Sequence, residues 1–270
     1  MLISNLEYIP LRLVRRFVLS DRLLLRFGAF VPYYRMNLNQ AAPARLVDDY
    51  ARHLASANCN PSNCRILEIG VGRTNSVAYE MAARFAPTAF TAFEPFVEFA
   101  PGEDKALLSR IAERHSRPAE DLRSRILRVT RLGELPTGSV DLVLSGSVLE
   151  HVGDPLALFS ELHRILAPGG AMLHLVDYRD HFFKYPYHFL QFSKASWNQW
   201  LNPGDLPVWR LYDHMDQLAA SGFSVRVLEQ TRDRIAFAAI AHRVSSDYRR
   251  GDDRIQVATA AIWAVRIDPL

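Results

Sequence analysis

Two glycines and two carboxylates within residues 68–94 have the types and spacing of a nucleotide-cofactor site. Glu68, Gly70 and Gly72 lie in the segment RILEIGVGRT, where a run of apolar residues meets a glycine pair. Glycine permits positive φ angles and lets a ligand approach the backbone closely. Glu94 follows, and a carboxylate at this spacing can accept hydrogen bonds from both hydroxyls of a ribose. The pattern therefore predicts a binding loop for a nucleoside-containing cofactor.

The glycine loop departs from the dinucleotide fingerprint. That fingerprint is G-x-G-x-x-G, and its third glycine allows the following helix to pack closely against the strand. Here Asn75 stands at the third glycine position. Nicotinamide enzymes and S-adenosylmethionine enzymes both use a ribose-binding carboxylate, so the loop disfavours the nicotinamide cofactor without excluding it.

A parallel sheet is needed to bring these residues together. Short apolar segments alternate along the chain with segments of helical character, which predicts an α/β fold with helices on both faces of the sheet. In such sheets ligands bind beyond the carboxyl ends of the strands. The predicted strands are 65–69, 88–93, 126–130, 140–145, 171–176, 223–228 and 255–267.

The segment 140–170 carries a second set of motifs. It reads VDLVLSGSVLEHVGDPLALFSELHRILAPGG, with Asp-Leu-Val in a strand, then Leu-Glu-His, then a helix and a Pro-Gly-Gly turn. Together with residues 65–74, Glu94 and Leu135-Pro136, it resembles the class I S-adenosylmethionine-dependent methyltransferases (methyltransferase type 11-like), most closely the branch that contains quinone-biosynthesis methyltransferases. The resemblance covers residues 45–180.

The resemblance implies a three-layer, Rossmann-like sheet of seven strands, mostly parallel, with a final antiparallel strand. It implies S-adenosyl-L-methionine as the cofactor and methyl transfer to a small-molecule, sugar or glycan acceptor, with a hydroxyl oxygen as the expected target. Glu68, Gly70 and Gly72 would shape the loop around the methionine part of the cofactor. Glu94 would hold the ribose hydroxyls, and Ser145 would place its backbone beside the sulfonium.

An aromatic-rich stretch, 177–210, is expected to cover the acceptor. It holds ten of the 29 aromatic residues of the chain and directly follows the predicted fifth strand. Aromatic faces suit sugar rings, planar rings or apolar groups, although the stretch could instead complete the core. A hydroxyl acceptor benefits from a general base. His181 and His151 are the candidates, and Asp177 or Asp180 could orient a histidine.

Residues 1–43 are predicted to form a helical arm and linker ahead of a methyltransferase domain at 44–270. Residues 6–27 read as helical, with five arginines on one side of the wheel and apolar residues opposite. One interpretation packs the apolar face onto the domain and leaves the arginines in solvent. The alternatives are a helix lying on an anionic membrane surface and a lid over the active site.

Composition narrows the class of protein. The chain is 49% hydrophobic and 23% charged, as in ordinary globular proteins, and a net charge of +3 gives no support for a nucleic-acid partner. Cys59 and Cys64 are expected to be free thiols, and no metal-binding spacing is present. We expect a cytoplasmic protein, with the inner membrane face as a peripheral site. The alternative function is a catalytically inactive relative that serves as a binding or membrane-adaptor module.

Overall fold

The computed structural model describes residues 2–19, 42–180, 185–203, 206–249 and 252–267. At its centre is a seven-stranded sheet whose strands are β1 (Arg65–Ile69), β2 (Ala89–Phe93), β3 (Ile126–Val129), β4 (Val140–Gly146), β5 (Leu166–Asp177), β6 (Phe223–Arg232) and β7 (Val257–Arg266). The spatial order is β3-β2-β1-β4-β5-β7-β6, and only β7 runs antiparallel to its neighbours. This arrangement confirms the predicted Rossmann-like fold.

Helices cover both faces of the sheet, as the alternating pattern predicts. They are α1 (Leu2–Phe17), α2 (Pro43–Ser56), α3 (Ser76–Phe85), α4 (Pro101–Arg114), α5 (Ala119–Arg123), α6 (Pro155–Ile165), α7 (Lys194–Ser196), α8 (Leu211–Ala220) and α9 (Arg234–Ala238). Successive strand residues point to opposite faces, so Val143 packs in the core with Phe159 of α6, while Leu142 packs in a second core with Met81 of α3. The sheet is therefore buried on both sides.

The order of the strands reverses between β1 and β4. From β1 the chain steps outward through β2 and β3 on one side, then returns to place β4 on the other side of β1. A crevice opens at the carboxyl ends of the two strands that flank such a reversal. The residues after β1 and after β4 therefore define where a ligand can bind.

Two predicted strands, the fifth and the sixth, differ from the structure by several residues. The Pro168-Gly169-Gly170 segment lies within β5 rather than in a turn before it, because the pairing of β4 with β5 shifts register between Val140 and Leu142. Gly169 takes a φ of +70° at this irregularity. The strand predicted over 223–228 continues to Arg232.

The predicted orientation of the N-terminal helix is wrong. Helix α1 ends at Phe17, and the rest of the predicted helix, 20–27, lies outside the described residues. Tyr8 and Arg12 are buried against the domain, whereas Phe17 is 59% and Val18 66% exposed. The reason is Asp180, a buried carboxylate that pairs with Arg12 and accepts a hydrogen bond from Tyr8. A carboxylate away from water requires such partners.

Helix α1 shares a third apolar core with the aromatic stretch. Tyr8 packs there with Tyr187, Trp197 and Tyr248, which come from three separate parts of the chain. The arm is thus joined to the predicted cap by packing as well as by the ion pair. Within the described ranges, no helix has both the length and the hydropathy needed to cross a bilayer.

Candidate active site

A large cleft lies at the carboxyl ends of β1, β2 and β4. Its empty volume is about 1890 Å³, with the open mouth included, and its walls contain Glu68, Gly70, Gly72 and Glu94. His151 lies at its far side. Four of the five residues that the sequence assigns to the cofactor are therefore brought together at the reversal of strand order.

Glycine is required at the tip of the β1 loop. Gly70 has a φ of +77° and Gly72 a φ of +67°, in the region that favours glycine. A Cβ atom added to Gly70 would come within 2.5 Å of Cγ2 of Val148, which follows β4. The loop can pass this close to the segment after β4 only because position 70 carries no side chain.

Glu94 ties the loops after β1 and β2 together. Its Oε2 accepts a hydrogen bond from the amide of Gly72 at 3.0 Å, and its Oε1 accepts from the amides of Phe96 and Val97 at 3.0 and 3.2 Å. An ionised carboxylate has about four acceptor positions. Glu94 therefore holds both loops while keeping capacity for a ligand hydroxyl.

Glu68 is a buried carboxyl with unused hydrogen-bonding capacity. It is 3% exposed, and its Oε2 has no hydrogen-bond partner among the residues that the structure describes. Burial raises the pKa of Glu68 to about 8. The hydroxyl of Tyr50, which is also buried, likewise lacks a partner in the described part of the chain. A cationic amine entering the cleft would satisfy Glu68, so this wall fits the amino group of S-adenosylmethionine.

The residues at the end of β4 differ by one position from the sequence expectation. Ser145 is fully buried, and a hydrogen bond of 2.7 Å joins its Oγ to Nδ1 of His174. Because β4 continues through the next residue, Gly146 and Ser147 line the cleft instead. Ser147 takes a φ of +56°, and its amide donates to the carbonyl of Leu175 at 2.8 Å. At the end of β4 the cleft is therefore lined by the two residues that follow Ser145, and the predicted place of Ser145 beside the sulfonium stays a prediction.

A second cleft adjoins the first, and His151 lines both. It has an empty volume of about 510 Å³, and Trp197 and Trp209 from the predicted cap form part of its wall. Nε1 of Trp209 donates a hydrogen bond of 2.7 Å to the carbonyl of Val152, which fixes the cap against the turn that carries His151. We refer to this space as the acceptor cleft.

Two ion pairs balance the charge in the acceptor cleft. Asp177 at the end of β5 binds the guanidinium of Arg179, with contacts of 2.9 Å to Nε and 2.6 Å to Nη2. Asp180 pairs with Arg12 of α1, whose guanidinium lies 5.1 Å from the ring centroid of Trp197. Each carboxylate in this part of the wall therefore has an arginine beside it.

Glu150 is the acidic residue that the sequence reasoning missed. Its Oε1 accepts a long hydrogen bond of 3.3 Å from the amide of Asp177, and its buried Oε2 has no partner within the described ranges. Burial raises the pKa of Glu150 to about 8, so the carboxyl is mostly protonated at neutral pH. The only signal was its place directly after Val148 and Leu149, since apolar neighbours favour burial of a carboxyl.

The two predicted histidines have different outcomes. His151 is exposed on the short helical turn after β4, at the boundary of the two clefts. His181 lies outside the described residues, so its proposed part in catalysis stays a prediction. Among the described residues, no cluster of side chains has the composition of a metal site.

Buried polar side chains hold the backbone behind the acceptor cleft in place. Arg210 is fully buried and donates hydrogen bonds to the carbonyls of Tyr178, Ile255 and Val257 at 2.5, 2.6 and 2.5 Å. A hydrogen bond of 2.9 Å joins the hydroxyl of Tyr178 to Nδ1 of His214. These bonds hold the chain that leaves β5 against the start of β7 and so fix the position of Asp177.

A glycine loop after β1, a carboxylate after β2 and a reversal of strand order between β1 and β4 define a class of enzymes that bind a nucleoside-containing cofactor. Residues 38–229 match the family model described as a methyltransferase domain, and the chain belongs to that family. It is an S-adenosylmethionine-dependent methyltransferase, and S-adenosylmethionine is its cofactor.

Solved structures of other proteins have a similar fold. One is a phosphoethanolamine N-methyltransferase 2 from Haemonchus contortus, in complex with phosphomonomethylethanolamine and S-adenosylhomocysteine. Its sequence is 16% identical, the TM-score is 0.52, and the match covers 95% of this chain and 59% of that one. A candidate sarcosine dimethylglycine methyltransferase from Galdieria sulphuraria is 15% identical with a TM-score of 0.51, covering 84% and 87%. No curated protein matches the sequence closely enough to count as a relative. At these identities the likeness shows the fold alone.

Proposed function

We propose that the enzyme methylates a hydroxyl oxygen of an uncharged small-molecule, sugar or glycan acceptor bound in the acceptor cleft. The observation that carries this proposal is the balanced charge of an aromatic-walled space directly beside the cofactor cleft. Asp177 and Asp180 each pair with an arginine, and the pKa of Glu150 keeps that carboxyl mostly neutral at pH 7. Unpaired carboxylates would favour a cationic amine, whereas aromatic walls with balanced charge favour a neutral ring.

For the cofactor, we assign the amino group to Glu68 and the ribose hydroxyls to Glu94. Gly70 and Gly72 allow the backbone to approach the ligand, and we assign the place beside the sulfonium, predicted for Ser145, to residues 146–147. When bound, the cofactor supplies a methyl group on a positively charged sulfur, which is already activated for displacement. The protein then contributes alignment of the acceptor and exclusion of water.

We assign the general base to Glu150. Its pKa of about 8 is close to neutral pH, Glu150 lines the acceptor cleft, and its buried Oε2 has no hydrogen-bond partner among the described residues. In its ionised form that oxygen can accept the proton of an acceptor hydroxyl. His151, at the boundary of the two clefts, is assigned the positioning of the acceptor beside the cofactor.

A screen with methyl-labelled S-adenosylmethionine tests the class of acceptor. The panel pairs neutral glycosides and phenols with amines of the same ring size, at pH 8. We expect label in the neutral hydroxyl compounds and alkali-stable ethers as products. Transfer to the amines with none to their hydroxylated counterparts would contradict the proposal.

A further inference from the structure

The carbonyl of Gly72 is held by a residue from outside the cofactor cleft. Arg128 lies in β3, and its Nη2 donates a hydrogen bond of 2.5 Å to that carbonyl. Its Nη1 donates a second bond of 3.0 Å to Oδ1 of Asn75. Arg128 is half-buried and is not one of the residues that line the cleft. One guanidinium from β3 therefore joins the glycine loop to the residue at the start of α3.

The two peptide planes on either side of Gly72 are both fixed by hydrogen bonds. The amide of Gly72 donates to Oε2 of Glu94 at 3.0 Å, and the carbonyl of Gly72 accepts from Arg128. The first bond restricts φ of Gly72, which is +67°, and the second restricts ψ. Glycine loses more backbone freedom on ordering than any other residue. Without these bonds, the peptide planes beside Gly72 would be free to rotate.

The guanidinium of Arg128 is itself held in place. Its Cζ lies 5.0 Å from the ring centroid of Phe99, which follows β2, and this distance is that of a cation–π contact. The guanidinium is planar and its donors point in fixed directions, so an arginine can bind two separate acceptors at once. Arg128 therefore has the defined neighbours of a residue that positions others, unlike a charge that only meets solvent.

Asn75, which stands in place of the third glycine of the dinucleotide fingerprint, belongs to the same network. Its side chain makes no capping bond to α3 and instead accepts from Arg128. Its amide donates to Oδ1 of Asp104 at 2.7 Å, and Oδ2 of Asp104 accepts from the hydroxyl of Tyr79 at 2.6 Å. In the fingerprint, a glycine at this position allows the helix to pack closely. Here polar bonds from β3 and α4 fix the start of α3.

We propose that Arg128 is a positioning residue, which holds the glycine loop in its binding conformation before S-adenosylmethionine enters the cleft. A loop that is already ordered loses less conformational entropy when the cofactor binds, so the cofactor binds more tightly. Arg128 acts through Gly72 and Asn75 rather than by contact with the cofactor. This role extends the cofactor site to β3 and does not depend on which acceptor is methylated.

Titration calorimetry with S-adenosylhomocysteine tests this role. Arg128→Met keeps an unbranched side chain and removes both donors. We expect it to bind about tenfold more weakly than the wild type, because the backbone of one residue then becomes ordered only on binding. The matched control is Arg125→Met. Arg125 lies at the opposite end of β3, where its Nη1 donates to the carbonyl of Pro87 at 3.2 Å. The control should bind with wild-type affinity.

Hydrogen exchange separates positioning of the loop from a general loss of stability. In the cofactor-free protein, the amides of residues 70–76 should exchange faster in Arg128→Met than in the wild type, while the amides of β4 and β5 exchange at the wild-type rate. Addition of S-adenosylhomocysteine should then slow the exchange of residues 70–76 by a larger factor in the variant. A purely structural role would raise exchange across the sheet instead.

A second variant removes only one of the two acceptors of Arg128. Asn75→Ala should weaken binding of S-adenosylhomocysteine by less than Arg128→Met does, since the bond to the Gly72 carbonyl remains. The double variant should bind no more weakly than Arg128→Met alone, because residues that act through one shared bond have non-additive effects.

Four results would overturn the role of Arg128. They are an affinity of Arg128→Met within twofold of the wild type, an equal loss of affinity in Arg125→Met, unchanged exchange of residues 70–76 in Arg128→Met, and additive effects in the double variant. A negative result in the acceptor screen would contradict the proposed acceptor and leave these measurements unaffected, so the two proposals fail separately.

Discussion

Arg12 of α1 and Asp180 after β5 form a buried ion pair at the wall of the acceptor cleft. Tyr8, one helical turn before Arg12, donates a second bond to the same carboxylate. The N-terminal helix is thereby part of the wall that a substrate would meet.

Loss of one partner of this pair should destabilise the fold. We expect Arg12→Ala to lower the free energy of unfolding by about 3–5 kcal/mol, because it leaves the Asp180 carboxylate buried without its counter-charge. Arg131→Ala is the matched control, since its ion pair with Glu134 lies on the surface, and it should cost less than about 1 kcal/mol. Urea denaturation measures both. Equal effects of the two substitutions would show that the pair at Asp180 is not buried as described.

Substitution of Gly70 should impair cofactor binding for two separable reasons. Gly70→Ala places a Cβ against Val148 and forces a positive φ on an L-residue. Gly138→Ala imposes a similar φ at a position where the added Cβ would contact no other atom. It therefore measures only the cost of a positive φ to the free energy of folding, about 1–2 kcal/mol. We expect calorimetric titration with S-adenosylhomocysteine to show weaker binding for Gly70→Ala only. Adding Val148→Ala should restore part of the affinity, and no restoration would contradict the steric explanation.

The raised pKa of Glu68 makes stability depend on pH. The folded state holds a proton on Glu68 up to about pH 8, whereas the unfolded chain releases it near its ordinary pKa of about 4.3. The contribution of the raised pKa of Glu68 to the free energy of unfolding is therefore fully present below about pH 4 and is lost as the pH rises toward 8. Glu68→Gln should flatten the decline of unfolding free energy between pH 5 and 8 by up to about 1.4 kcal/mol per pH unit. An unchanged slope would show that Glu68 is ionised in the folded protein.

The same residue should link cofactor binding to proton release. If the amino group of the cofactor meets the ionised form of Glu68, affinity should rise from pH 6 to 8 and a proton should leave on binding. Calorimetry in two buffers of different ionisation enthalpy measures that proton. Glu68→Gln should abolish the release, and release that persists in the variant would assign it to another group.

Glu150 should control the rate of methyl transfer through its ionisation. With a pKa of about 8, its basic form increases as pH rises from 6 to 9, so kcat/KM should rise over this range and level off above pH 8. Glu150→Gln should lose this pH dependence, and its rate should fall about 10²–10⁴-fold. The variant should still bind S-adenosylhomocysteine. His151→Gln, which removes the positioning group instead, should keep the pH profile. A Glu150→Gln enzyme with the wild-type profile would exclude Glu150 as the base.

The sheet and the glycine loop after β1 could be predicted because their signals are local. An apolar strand that runs into Gly70 and Gly72 fixes both the element and its end, and the 22-residue spacing from Gly72 to Glu94 places the carboxylate directly after the next strand. The end of β4 was predicted one residue early because a strand's last paired residue depends on its neighbour, and β4 continues through Gly146 alongside β5.

The properties that depend on distant contacts could not be predicted. The orientation of α1 is decided by Asp180, which is remote in the sequence and buried only once the cap has folded over it. The helical wheel contained no information about that partner. Glu150 stayed unnoticed for a similar reason, since its pKa follows from burial among segments that meet only in three dimensions.

Glu94 combines a structural role with its assigned role in cofactor binding, and the two conflict when cofactor selectivity is redesigned. The carboxylate assigned to the ribose also accepts hydrogen bonds from the amides of Gly72, Phe96 and Val97. Replacing it to accept a cofactor analogue with an altered sugar would also release two loops. Redesign of cofactor selectivity in this enzyme therefore has to begin with new anchors for those loops, before position 94 itself is changed.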